Sequence, residues 1–323
     1  MPSTLLVTGG CGFIGSNFIN EYHAKYPDVR IVNVDRLDYC SSEDNVESPD
    51  PSWYSFYAAD ITNANTLTYI LRRHKPDAVV HFAAQSHVDN SFGNSLAFTH
   101  DNVVGTHTLL ECCRTILGAD LKRFVHISTD EVYGEVSSDH PGCTEQSLLN
   151  PTNPYAASKA AAEFFVRSYN HSYGMPTIIT RGNNVYGPRQ YPEKVIPRFI
   201  DLLLRGKKMT LQGDGTATRN FIHAFDVASA VEVILHHGEI GQIYNIGGDC
   251  ELSVREVAGR LLELLHPSAK IEEWLESIPD RLFNDQRYAV KNDALVGLGW
   301  QPKISFEDGL RTTVEWYKNR LPK

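Results

Sequence analysis

Two carboxylates stand side by side at Asp130 and Glu131, in the stretch "HISTDEVYGE" that follows the apolar run "RFVHIS". An acid pair at the end of a buried strand is suited to proton traffic. Neighbouring carboxyls in unlike environments separate their proton affinities, so one can donate while the other accepts. Downstream, "NPYAASKAAAEFF" sets Tyr155 and Lys159 four residues apart, on one helical face. An ammonium beside a phenol stabilises the phenolate, so this spacing predicts a Tyr155 whose proton affinity Lys159 lowers toward neutrality.

A third group is built for an anion. "VTGGCGFIGSNF" places Gly9, Gly12 and Gly15 at GxxGxxG spacing between a strand pattern and a helix pattern. The first glycine permits a tight turn, the second a close approach to a pyrophosphate, and the third close helix–strand packing. Asp35 ends the next strand and is suited to the ribose hydroxyls of NAD. Arg36 follows it and leaves NADP open as a 2′-phosphate partner. Asp60 and Ile61 end the third strand, at the edge expected for an adenine.

The elements that must carry these residues alternate. "TLLVTG", "RIVNVD", "YSFYAAD", "DAVVHFAA", "RFVHIST" and "PTIITR" read as strands. Helical patterns lie between them at Phe13 to Tyr26, "TLTYILRRH", 95–117 and 154–173. Continuous apolar strands joined by helices imply an α/β fold with a doubly wound parallel sheet, and ligands then bind at the strands' carboxyl ends. After about Arg181 the texture changes to short strands, "MTLQG" and "QIYNIGG", among helices near 194–205, 225–237, 253–265 and 306–319. The division expected is a Rossmann domain over 1–181, holding the catalytic residues. Residues 182–323 then form mainly a smaller α/β substrate-binding domain, with a cleft between the two.

Composition narrows the partners. The chain has 323 residues and a formal net charge of -9. No basic excess exists to replace the counterions of a nucleic acid or an anionic membrane surface. The six cysteines have no zinc-ligand spacing and read as free thiols in a reducing compartment. No metal site is expected. The first residues lack a charged region followed by a long apolar one, and no run reaches the ~20 apolar residues of a membrane span. A cytoplasmic location is the expectation.

Taken together, GxxGxxG, "STDEVYG" and YxxxK resemble the extended short-chain dehydrogenase/reductase family over essentially the whole chain. Within it, Thr129-Asp130-Glu131 is similar to the signature of the nucleotide-sugar 4,6-dehydratases. "FAAQSHVDNSF", "TRGNNVYGPRQYPEKVIPRFI" and "DRLFNDQRY" reinforce that likeness. The last two look most like the UDP-glucose enzymes of UDP-rhamnose synthesis, and next like the dTDP-glucose enzymes.

The resemblance implies a redox-neutral reaction. Tyr155 removes the C4 hydroxyl proton while hydride passes to NAD, Thr129 bonds the C4 oxygen, Glu131 takes the C5 proton, and Asp130 protonates the departing C6 hydroxyl. It implies cofactor contacts from Gly9, Gly12, Phe13, Ile14, Gly15, Asp35, Arg36, Asp60, Ile61, Phe82, Ala83, Ala84, Tyr155 and Lys159. It puts Ser86, Asn184, Lys194, Arg219, Asn245, Arg281 and Tyr288 on a nucleotide-sugar substrate. A lone histidine such as His87 is more often structural than catalytic, and is read so here. Gln212 stands where dTDP-specific enzymes tend to carry an aromatic residue. A homodimer through helices 95–117 and 154–173 is expected. The other functions open are an NAD-dependent UDP-sugar 4-epimerase, which has no use for two acids, and a non-catalytic NAD sensor, which has no use for the Tyr155/Lys159 pair.

Overall fold

A computed structural model describes residues 1–279 and 283–320. Six strands follow one another with helices between: β1 (Thr4–Thr8), β2 (Arg30–Asp35), β3 (Tyr54–Ala58), β4 (Ala78–His81), β5 (Arg123–Thr129) and β6 (Thr177–Gly182). The chain then forms β7 (Asn184–Tyr186), β8 (Met209–Gln212) and β9 (Thr218–His223). It continues through β10 (Ile243–Ile246), β11 (Cys250–Ser253) and β12 (Leu275–Ile278). The main sheet is seven-stranded and parallel, in the order β10-β6-β5-β4-β1-β2-β3. Every residue of β1 and β4 is buried, which is why these strands read as unbroken apolar runs rather than alternating ones.

Helices cover both faces. Phe13–Lys25 and Ala224–His237 pack Phe18, Ile19, Tyr22, Val231 and Ile234 against one side. Ala64–His74, Gly105–Ile116 and Pro154–Tyr173 pack Leu67, Ile70, Leu109, Leu110 and Val166 against the other. The helix Ala224–His237 and β10 lie in the second half of the chain yet complete the first sheet. A second unit holds the sheet β11-β9-β7 and the parallel pair β12-β8. Its core joins the helices Val195–Leu204, Val254–Leu265 and Phe306–Arg320. Among the described residues no helix is long and apolar enough to cross a membrane.

Two local features set the site. The Pro154–Tyr173 helix starts where Asn153 Oδ1 accepts the Ala156 N–H at 2.8 Å and Pro154 occupies the first turn. It ends at Gly174, with φ +64°. The expected single helix over 95–117 is interrupted instead. Ser95–Phe98 passes through a π-helical stretch, Thr99–Val104, before Gly105–Ile116 resumes. The wider turn accommodates an inward Asn102, which is 1 % exposed. Its side chain exchanges hydrogen bonds with the Gln85 backbone and donates to Ser158 Oγ at 2.9 Å.

Beneath the strand ends, Arg181 on β6 is 1 % exposed and makes bidentate contact with Glu163, with Nη2 at 2.6 Å from Oε2. The same guanidinium donates to Tyr133 Oη at 2.8 Å. The pair therefore ties the Pro154–Tyr173 helix to the turn after β5. Removing one partner strands a buried charge. Arg181→Met is expected to cost roughly 3–5 kcal/mol in urea unfolding, and adding Glu163→Leu to recover much of it. A single substitution as mild as the double would remove the strut.

Candidate active site

The glycine turn forms the floor of one cavity. Gly9 has φ +72°, and a Cβ there would lie 2.6 Å from the Ala83 nitrogen. A Cβ on Gly15 would lie 2.3 Å from the Gly9 oxygen. Packing alone accounts for both glycines. Gly12 differs, because a Cβ there meets only the Gly9 oxygen, at 3.3 Å. Its backbone lines the cavity at the start of the Phe13–Lys25 helix, which has no side-chain cap and no acid in its first turn. An uncapped helix N-terminus behind a bare backbone fits a pyrophosphate.

Asp35, 7 % exposed, is fixed at the cavity edge by the N–H groups of Cys11 at 3.0 Å and Leu37 at 2.8 Å. Arg36 is otherwise engaged. It bonds Asp38 at 2.6 Å, Asp60 at 3.3 Å and Asp101 at 2.7 Å. It is a strut between three carboxylates, not an open phosphate partner. The remaining cofactor candidates, Phe13, Ile14, Asp60, Ile61, Phe82, Ala83, Ala84, Tyr155 and Lys159, line the same cavity.

A second cavity adjoins the first and shares a wall made of Phe13, Ile14, Ser86, Ile127, Ser128, Tyr155 and Lys194. Thr129, Asp130 and Glu131 line it, as do Asn184, Arg219 and Tyr288. The acids sit on a 3₁₀ turn, Asp130–Tyr133, capped by Thr129 Oγ1, which accepts the Glu131 N–H at 3.3 Å. Asp130 is 2 % exposed. Burial, then the neighbouring charge of Glu131, pushes its proton affinity up to about pKa 7. Glu131 is more open and accepts from Asn153 Nδ2 at 3.1 Å.

The Tyr155–Lys159 expectation needs correction. Burial, reinforced by Glu131 and Asp130, raises the phenol rather than lowering it, against a hydrogen bond from Thr129. Lys159 Nζ donates to the Ile127 carbonyl at 2.7 Å, and burial brings the ammonium down to about pKa 8 despite Glu163. The spacing alone did not reveal that both groups are buried.

Three substrate candidates need comment. Asn245 is fully buried away from both cavities, where it accepts from Tyr133 Oη and donates to the Cys143 and Lys291 carbonyls. Its inward direction on β10 makes it a framework residue, a correction to its assignment as a substrate contact. Arg281 lies outside the described residues. Arg219 does line the cavity, but its guanidinium donates to the Asp285 and Gln286 carbonyls and to Asn284 Oδ1 and stacks on Tyr288 at 4.9 Å. His87 and Gln212 line the cavity too, and Gln212 Nε2 reaches Asp89 Oδ2 at 3.4 Å. Among the described residues no group of three His, Cys, Asp or Glu side chains is placed to hold a metal. Sequence reading missed Asn153 and Asn183. Asn183 Nδ2 donates to Asp130 Oδ2 at 2.7 Å. The one available signal was an asparagine just before Pro154, the usual sign of a helix cap.

A doubly wound sheet with a glycine-turn cavity, a YxxxK helix and a strand-end acid pair defines an extended short-chain dehydrogenase/reductase. Within that class, the family described as GDP-mannose 4,6 dehydratase matches residues 6–313, and the chain belongs to it. It is 47% identical over 321 residues to a trifunctional UDP-glucose 4,6-dehydratase/UDP-4-keto-6-deoxy-D-glucose 3,5-epimerase/UDP-4-keto-L-rhamnose-reductase of Arabidopsis thaliana. That match covers 98% of this chain and 47% of the plant protein, so the chain spans about half its length. It is 45% identical to the dTDP-D-glucose 4,6-dehydratase of Homo sapiens, covering 98% of this chain and 90% of the human one. Among solved structures it resembles DesIV, a dTDP-glucose 4,6-dehydratase from Streptomyces venezuelae with NAD and TYD bound. The TM-score is 0.92 at 42% identity, over 98% and 97% of the two chains.

The raised Asp130 carries a stability signature. Its folded pKa, about 7, lies above the 3.8 of a free aspartate, so ionising it costs the folded state free energy. That penalty is absent below pH ~4, grows between pH ~4 and ~7, and is complete above. Asp130→Asn is therefore expected to stabilise the fold by up to ~4 kcal/mol at pH 8 and by almost nothing at pH 4. Thermal unfolding at the two pH values checks this, and an equal shift at both contradicts the burial penalty.

Proposed function

We propose that the chain is an NAD-dependent nucleotide-sugar 4,6-dehydratase, a hydro-lyase that converts UDP-glucose to UDP-4-keto-6-deoxyglucose. One observation carries this: a buried carboxyl that keeps its proton near neutrality stands directly beside a more open one, in a cavity that shares Tyr155 with the cofactor cavity. A 4-epimerase works at C4 alone and has no use for that pair.

NAD, when bound, supplies a hydride acceptor that later returns the hydride, and a positive charge in the cavity Tyr155 lines. Gly12, in the tight turn that Gly9 and Gly15 permit, would admit its pyrophosphate, and Asp35 would hold its adenosine ribose. Arg36 is saturated by Asp38, Asp60 and Asp101, and a 2′-phosphate would enter among these carboxylates; this favours NAD over NADP. Tyr155 takes the C4 hydroxyl proton, and Thr129 bonds the C4 oxygen. With C4 a ketone, the C5 proton is acidic and passes to Glu131. Asp130 gives its proton to the C6 hydroxyl, which leaves as water. Lys159 holds the Ile127 carbonyl and offers its remaining N–H groups to the cofactor.

UDP-glucose is the preferred substrate. The polar Gln212 in the cavity wall offers nothing to a thymine methyl. One methyl is worth only about 1–3 kcal/mol, so dTDP-glucose is also turned over. Identities of 47% and 45% to the plant and human enzymes do not separate the two nucleotides.

Incubation of the NAD-loaded protein with each sugar nucleotide, followed by mass analysis, tests this. Loss of water from both is expected, with the higher kcat/KM for UDP-glucose. A product of unchanged mass refutes the dehydratase, and equal kcat/KM refutes the preference. Asp130→Asn is expected to oxidise C4 but eliminate about 10²–10⁴-fold more slowly, so that bound NADH builds up as absorbance at the reduced-nicotinamide band. Unimpaired turnover would remove Asp130 from the acid role.

A further inference from the structure

The proton that elimination requires has two oxygens on which to sit. Among the described residues each oxygen of Asp130 has one side-chain partner: Asn183 Nδ2 lies 2.7 Å from Oδ2, and Thr129 Oγ1 lies 3.3 Å from Oδ1. A neutral carboxyl has one carbonyl oxygen, which only accepts, and one hydroxyl, which donates. An amide NH₂ only donates, so the oxygen that faces it must be the carbonyl one. A threonine hydroxyl can do either, so Oδ1 can carry the proton.

Which end of Asn183 faces the acid is set by backbone. Asn183 Oδ1 accepts the Gly248 N–H at 3.1 Å, and the Asn183 N–H donates to the Ile246 carbonyl at 3.0 Å. A flipped amide would oppose two donors at Gly248 and two acceptors at Asp130. The frame itself has little room to give, since a Cβ on Gly248 would lie 2.2 Å from the Phe221 oxygen. Asn183 is 5 % exposed and lines the second cavity. Among the described residues, the charged and titratable groups that face Asp130 are Glu131 from its own turn, Arg219 from β9, Tyr155 from the Pro154–Tyr173 helix, and Cys143.

We propose that Asn183 is a positioning residue for the elimination: by donating to Asp130 Oδ2 it confines the acid's proton to Oδ1, on the Thr129 side. This rests on the dehydratase function proposed above. Asn183 does not touch the reacting atoms in this scheme; it decides which oxygen of the acid is armed. It also favours the ionised form, as any donor to a carboxylate does, and so eases the proton's departure.

The test uses NAD-loaded protein and UDP-glucose, and reads NADH formation and water loss separately. Asn183→Leu removes the donor at similar size. Asn183→Asp keeps the shape and the bond to Gly248 but turns an acceptor toward the acid. In both, oxidation at C4 is expected to stay near the unaltered rate while dehydration falls about 10- to 100-fold, so reduced cofactor accumulates. The alkaline limb of kcat, which reports loss of the acid's proton, is expected to move to higher pH. A residue that merely packs would slow both steps together and leave the limb in place, and that result overturns the proposal, as does turnover equal to the unaltered enzyme. Should Asn183→Leu fail to fold, Asn183→Asp decides by the same two readings. If the unaltered protein dehydrates neither UDP-glucose nor dTDP-glucose, the function fails first and takes this inference with it.

Discussion

A carboxylate taken out of water is costly to ionise, and the site is arranged around that cost at Asp130. The residue sits at the carboxyl end of β5, where the strand's burial carries it inside, and a 3₁₀ turn keeps Glu131 beside it but nearer solvent. Position alone thus raises the proton affinity of one carboxyl in an adjacent pair, that of Asp130. Thr129 caps the turn, Asn153 holds Glu131 and Asn183 holds Asp130, so each acid has its own amide. Those amides come from different elements, the start of the Pro154–Tyr173 helix and the loop after β6. The acids are therefore correctly held only when the sheet, the helix and the second unit are assembled.

The same assembly explains why two cavities share a wall. Ligand cavities in open α/β sheets form beyond the strands' carboxyl ends. Here the glycine turn after β1 opens one, and Asn184, Gln212 and Arg219 of the second unit help to line the other. Tyr155 stands between them. Burial raises the proton affinity of its phenol, and Lys159 donates a hydrogen bond to the Ile127 carbonyl. The positive charge of NAD beside Tyr155 would favour the phenolate.

Much of the fold was legible because its signals are local. Apolar runs without alternation identified the parallel strands, and the glycine spacing between a strand and a helix identified the anion site. Residue identity also pointed to Asp130 and Glu131, which line the second cavity, and to residues that line the first. What escaped was direction. Asn245 belongs to a strand end like the others, yet it points inward to Tyr133 and Cys143. The helix over 95–117 looked uniform because a π-helical stretch has no distinctive sequence, and its cause, the buried Asn102, is defined by partners far along the chain. Asn183 stayed unnoticed beside Asn184 for the same reason. Its importance comes from Gly248 and Asp130, 65 and 53 residues away in sequence.

The knot around Arg36 bears on attempts to redesign the enzyme. Its three carboxylates come from the loop after β2, the loop after β3 and the π-helical stretch, so three separate segments converge on one guanidinium. Converting such a protein to a phosphorylated coenzyme is commonly pictured as exchanging the acid at the end of β2. Here that exchange would leave an arginine still sequestered by its neighbours, in a pocket still hostile to an added anion. Asp38, Asp60 and Asp101 would have to be reworked along with Asp35. Coenzyme choice in this chain is thus a collective property of four acids, and it resists drift by any single substitution.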